Sequence, residues 1–132
     1  MVKGIAHTAY IVRDMQQILD FYCEKLGFTH AFSISDQKGN PWIEYVKVAD
    51  HQFLEFFYAE PGQSMPKGSY GHICFEVEDI FAQEKALQQA GVSIRIAPNQ
   101  GKDGNWQCWA DDPDGNAIEF MQINPDSPQA HA

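Results

Sequence analysis

One short pattern occurs twice in this chain. Near the N-terminus it reads Ala6-His7-Thr8-Ala9-Tyr10-Ile11-Val12-Arg13-Asp14, and later Gly71-His72-Ile73-Cys74-Phe75-Glu76-Val77-Glu78-Asp79. In both, a histidine opens an apolar-rich run of strand character, and an aspartate seven positions on stands where a helical pattern begins. The offset from His7 to His72 is 65 residues. Leu26-Gly27-Phe28 answers Ala90-Gly91-Val92 at an offset of 64, and Phe53-Leu54-Glu55-Phe56 answers Ala117-Ile118-Glu119-Phe120 at 64. Three matches in the same order indicate a duplicated unit carrying one His and one Glu per copy.

Taken in order, residues 4 to 12 alternate as a strand does, and Asp14 caps a helix whose Met15, Ile18, Leu19, Tyr22 and Leu26 recur at helical spacing until Gly27. Residues 28 to 35, 42 to 48 and 52 to 58 read as strands. The last two form a hairpin around Asp50-His51 in which Val48 is expected opposite Phe53, and Val46 opposite Glu55. The second copy repeats the order: a strand over 70 to 77, a helix from Asp79 to Gly91, and a strand over 92 to 97. A polar, mobile loop is expected over 98 to 104, then a hairpin around Asp112-Pro113-Asp114-Gly115. Each copy thus reads β-α-β-β-β. The expected fold class is α+β, built of tandem βαβββ modules over 1–64 and 65–125, with a frayed tail over 126–132 and a linker over 59 to 69.

With 132 residues the chain can bury one sizeable core or two interdependent halves. A net charge of −9, with nine Lys and Arg that form no cluster, argues against nucleic acid. No stretch approaches a membrane span and no leader-like segment opens the chain, so a soluble, unprocessed protein is expected. Cys23, Cys74 and Cys108 are odd in number and widely spaced, which suits buried free thiols in a reducing cytoplasm.

His7 and His72 occupy equivalent places on the first strand of each copy, and Glu55 and Glu119 on the last. The opposite parity (Leu54, Phe56, Ile73, Phe75) can pack on the helices, which leaves two imidazoles and two carboxylates for the helix-free face. Two carboxylates facing one cleft need a cation or protons, and this donor set suits one divalent metal with positions open for catalysis. Phe53 and Phe57 flank Glu55, and with Trp106 they suit an apolar or aromatic substrate. His30, His51 and His131 are expected to be surface residues.

The set His7, Glu55, Gly71-His72 and Asp112-Pro113-Asp114-Gly115-Asn116-Ala117-Ile118-Glu119 resembles the vicinal oxygen chelate superfamily, in particular its glyoxalase I (lactoylglutathione lyase) branch. Phe21-Tyr22 and Leu26-Gly27-Phe28 extend the resemblance over residues 4 to 123. It implies modules that form a curved mixed sheet with an open metal-binding cleft, commonly in a homodimer. It also implies Ni²⁺, Co²⁺ or Zn²⁺ bound by His7, Glu55, His72 and Glu119. The implied activity is that of a lyase or isomerase acting on a small substrate with vicinal oxygens through an enediolate, with Glu119 or Glu55 as the base. Relatives that are epimerases tend to carry Gln at the position of Glu55, and extradiol dioxygenases use a His, His, Glu set. Glyoxalase I relatives also place an arginine four residues beyond the first histidine and an asparagine four beyond the first glutamate, both serving glutathione. Here those positions are Ile11 and Ala59, and the remaining cations fall mostly on turns, helices or outward parities, so no carboxylate clamp is expected. The competing implication is a metal-free sequestering protein of the bleomycin-resistance type.

Overall fold

The computed structural model describes residues 1–65 and 68–132; Pro66 and Lys67, within the expected linker, lie outside the described residues. The chain divides into two compact units, Met1–Lys67 and Gly68–Ala132, and each has a four-stranded mixed sheet. The fold class is α+β, consistent with βαβββ modules.

In the first unit β1 (His7–Val12) leads into α1 (Met15–Leu19), followed by β2 (Thr29–Ser35), β3 (Pro41–Ala49) and β4 (Gln52–Tyr58). The sheet order is β1-β4-β3-β2, with β1 parallel to β4 and the other pairs antiparallel. Asp14 caps α1 by accepting from the Gln17 N–H at 3.1 Å. The expected single helix does not stay α-helical: Asp20–Lys25 is a π-helical continuation, with Leu26 N–H bonded to the Phe21 carbonyl five residues back. The widened turn directs both Phe21 and Tyr22 inward. Tyr22 then meets Phe56 at 5.0 Å between ring centroids, over a core that includes Val12, Ile18, Val46 and Leu54. Truncating Phe56 to Ala there costs about 3–5 kcal/mol.

The second unit repeats this order. Its elements are β5 (Ile73–Glu76), α2 (Ile80–Gln89), β6 (Ile94–Gln100), β7 (Trp106–Asp111) and β8 (Ala117–Gln122), in sheet order β5-β8-β7-β6. Asp79 accepts from the Phe81 and Ala82 N–H groups, and Gly91 ends the helix with φ +75°, matching Gly27 at +78° in the first unit. Ile80, Leu87, Cys108, Ala110, Ile118 and Phe120 are its buried core.

Three expectations change. β6 runs on to Gln100, pairing Asn99 with Gln107 and Gln100 with Trp106 after a register shift, so the first three residues of the expected loop over 98 to 104 are strand and only 101 to 104 remain a turn. β5 begins at Ile73, so His72 immediately precedes the strand instead of sitting inside it. The tail is tied down: Ser127 is buried, Gln129 accepts from Asn105 Nδ2 at 3.1 Å, and Ala130 N–H bonds to the Ser127 carbonyl. Buried Asn105 uses its own Oδ1 to hold the Asn124 N–H, which explains why the polar terminus does not fray.

Candidate functional site

β-Sheet register decides which side chains share a face. Across β4 and β3 the pairs are Phe57 with Ile43, Glu55 with Tyr45 and Phe53 with Lys47; Leu54 and Phe56 point to the other, helix-covered face. The expected partner of Glu55 was Val46. A register shift between Lys47 and Ala49, beside a turn in which His51 adopts φ +60°, moves the pairing by one residue and places Tyr45 there instead.

The first unit therefore presents a compact group. His7 Nε2 lies 3.3 Å from Glu55 Oε2, and the Tyr45 hydroxyl donates to Glu55 Oε1 at 2.5 Å. Glu55 is only 8% exposed, while the His7 side chain is open to solvent on one side. Tyr45 is fixed by stacking on Phe32 at 4.4 Å and by edge contacts with His7 and Phe53. The hydrogen bond to the Glu55 carboxylate raises the Tyr45 phenol above its ordinary value, so it stays a donor at neutral pH. Phe53 and Phe57 lie on this face, as expected.

The second unit carries the equivalent pair. His72 Nε2 is 3.0 Å from Glu119 Oε2, and Glu119 is 5% exposed. The Asp112 loop sets its position: buried Asp112 accepts from the Asp114 and Asn116 N–H groups at 2.9 Å each, and Gly115 takes φ +81°. Counting back from this turn pairs Trp109 with Glu119, and the Trp109 ring packs edge-on to His72 at 4.7 Å. Cys74, opposite Glu119 on β5, is exposed as a residue and not buried as expected. Its thiol is nonetheless pushed up to about 12, by desolvation first and then by the Glu119 carboxylate it bonds.

Trp106, expected beside the substrate, is on the opposite face. It shares parity with buried Cys108 and Ala110 and packs on Phe81 of α2 at 5.2 Å. Trp109, paired with Glu119, is the tryptophan on the Glu119 face. Arg95, at the shift in β6, brings its guanidinium 5.5 Å from the Trp109 ring and 3.4 Å from Asp111, so one cation does stand near this group, already paired.

His30 is not a plain surface residue. Its Nε2 lies 2.6 Å from Glu44 Oε2, the Ser33 hydroxyl bonds the same oxygen, and the Tyr58 hydroxyl donates to Oε1 at 3.0 Å. Glu44 pairs with Phe56 and so lies on the face opposite Glu55. Burial alone would raise the Glu44 carboxyl; the hydrogen bonds from Ser33, His30 and Tyr58 outweigh it and hold the group low.

The His–Glu geometry can be tested against a metal. Two ligands bound to one ion at about 2.1 Å and about a right angle apart lie about 3.0 Å from each other. The two His–Glu pairs, at 3.3 and 3.0 Å, already have that spacing, and imidazole with carboxylate suits first-row divalent ions. Among the described residues no group of three or more His, Cys, Asp or Glu side chains gathers as a metal site. Each unit thus offers two donors, half of the expected set.

The model of the Glyoxalase/Bleomycin resistance protein/Dioxygenase superfamily matches residues 4–120. The chain is 28% identical to a probable lactoylglutathione lyase of Vibrio cholerae, over 97% of this chain and 94% of the relative. It is 33% identical to the uncharacterised protein YetH of Bacillus subtilis, over 89% and 97%. Among solved structures, TnmS3, an antibiotic binding protein from Streptomyces, matches with a TM-score of 0.75 and 27% identity, over 93% of this chain and 98% of that one. The duplicated modules, the paired His and Glu and the match across nearly the whole length lead to one assignment: the chain belongs to the glyoxalase/bleomycin resistance protein/dioxygenase superfamily.

Proposed function

We propose that the protein is a cytoplasmic, homodimeric lyase or isomerase of the glyoxalase type, dependent on Ni²⁺, Co²⁺ or Zn²⁺ and acting on a small compound with two adjacent oxygens. His7, Glu55, His72 and Glu119 are the ligands. The observation that carries this proposal is the repetition of one pair in both units, a histidine nitrogen about 3 Å from a nearly buried carboxylate oxygen. The bound ion supplies stabilisation of negative charge on the substrate oxygens. Glu55, with Oε1 held by Tyr45, is the fixed carboxylate. Glu119, whose neighbours are His72 and a weak S–H donor, is freer to take a proton from one substrate carbon and return it to the next. Phe53 and Phe57 hold the apolar part of the substrate beside Glu55 and keep water from it.

Glutathione is not part of the expected substrate, because Ile11 and Ala59 stand where the glyoxalase I relatives carry its binding groups. A second proposal, metal-free sequestration of an aromatic compound, is favoured by the open aromatic face of the first unit and by the similarity to an antibiotic binding protein. One experiment separates them: reconstitute purified protein with each metal, measure bound metal, and assay the glutathione–methylglyoxal hemithioacetal. Stoichiometric metal is expected, with kcat/KM well below about 10⁴ M⁻¹s⁻¹. Protein that retains no metal, yet binds aromatic ligands unaffected by a chelator, is a sequestering protein. Turnover above that range restores glutathione as the carrier.

A further inference from the structure

Near the ends of β1 and β4, in the first unit, lies a cleft of about 490 Å³, within the size range of small-molecule sites. Ile11, Trp42 and Phe57 give it apolar walls, and Glu60 and Gln63 also line it. Trp42 is 47% exposed and meets Phe57 edge to face at 5.8 Å, so much of the indole stays open to a ligand. The Glu60–Gln63 turn is fastened twice: Glu60 N–H donates to Gln63 Oε1, and Gln63 N–H to the Glu60 carbonyl, both at 2.9 Å. This fixes the backbone from which the Glu60 carboxylate projects. Among the described residues lining the cleft, Glu60 alone is charged, and its carboxylate has no ion-pair partner among them.

We infer that this cleft takes an organic cation: an ammonium or quaternary ammonium group carried on an apolar or aromatic body. An indole or phenyl face attracts a cation through its quadrupole, and a neighbouring carboxylate adds to the attraction. An anion meets the same rings without that gain and is repelled by Glu60. A chain of net charge −9 further concentrates cations at its surface. The inference deepens the function proposed above by naming the charge class of the substrate, and rests on that proposal for taking this cleft as part of the substrate site. Binding of the cation itself needs no metal.

The test is calorimetric titration of chelator-treated, full-length protein with benzyltrimethylammonium, benzyl alcohol and phenylacetate. The cation is expected to bind at least about threefold tighter than the alcohol and the anion least, with the preference shrinking as salt rises. Glu60→Gln and Trp42→Ala should each weaken the cation by about threefold or more, and Glu60→Lys should bring phenylacetate above the cation. Equal affinity for the three probes, no cation binding at millimolar concentration, or a cation affinity unmoved by both Glu60 variants overturns the inference. Circular dichroism verifies that the variants fold. Absence of the cation preference in protein that takes up stoichiometric metal on reconstitution defeats this inference alone. A cation preference in protein that takes up no metal on reconstitution defeats the catalytic proposal and leaves the cleft assignment standing.

Discussion

Tyr45 separates the two otherwise equivalent carboxylates. Glu55 receives a phenolic O–H at 2.5 Å, whereas the residue opposite Glu119 is Trp109, whose ring packs on His72. Replacing Tyr45 with Phe removes a donor to a nearly buried charged oxygen while keeping the ring that stacks on Phe32. Urea unfolding of metal-free Tyr45→Phe is expected to show a loss of about 1–3 kcal/mol, the cost of leaving such a group unsatisfied. Saturating divalent metal should shrink that difference, because the ion then meets the carboxylate's need. A difference undiminished by metal would mean that no ion reaches the Glu55 carboxylate, and no difference at all would mean that Tyr45 acts only through packing. The pairing of a histidine with a glutamate, His7 with Glu55 and His72 with Glu119, was legible in the sequence because the repeat gave each a counterpart. Tyr45 was not, since a single-residue register shift near Val48 turns the expected Val46 into Tyr45. Trp109 could have been found by counting back from the Asp112 turn, which has no such shift.

At the scale of elements, β2 and β3 carry a feature that the hydrophobic pattern hides. Glu44 sits among Ile43, Tyr45 and Val46, where charge is costly, and it is kept ionised by donors from three different positions: His30, Ser33 and Tyr58. Because its folded pKa lies below the ordinary value, its contribution to stability is fully present above the unfolded pKa of about 4.5 and is lost as pH falls through the folded value. Wild-type protein should therefore lose stability between about pH 5 and pH 3 more steeply than Glu44→Gln. At pH 7 the variant should be less stable by about 1–3 kcal/mol, since an amide cannot accept all three bonds as a carboxylate does. Urea unfolding at both pH values measures this, and parallel pH profiles would show that Glu44 gains nothing from its donors. Elements were otherwise legible where a local signal set them, as Asp14, Asp79, Gly27 and Gly91 do for the helices. They were misjudged where the cause is tertiary: β6 outlasts its proline because β7 pairs with it, and the terminus is held by buried Asn105.

For the molecule as a whole, the duplication gives two similar units with two proposed metal donors apiece, and neither gathers a group of three or more possible donors among the described residues. A divalent ion bound by two groups alone would be held weakly, so the four-ligand proposal requires both pairs. The pair of double variants His7→Ala/Glu55→Gln and His72→Ala/Glu119→Gln tests this directly. Each should weaken metal binding by at least about a hundredfold, since loss of two direct ligands exceeds what is lost with an outer partner. The two losses should be similar in size, although one pair carries Tyr45 and the other Cys74. A double variant that keeps wild-type affinity would place the ion in the other unit alone and end the four-ligand proposal. Mixing the two defective proteins adds a second outcome of the same measurement. Recovered metal binding means that the halves of a site come from two copies of the chain, and unrecovered binding means that one chain supplies both.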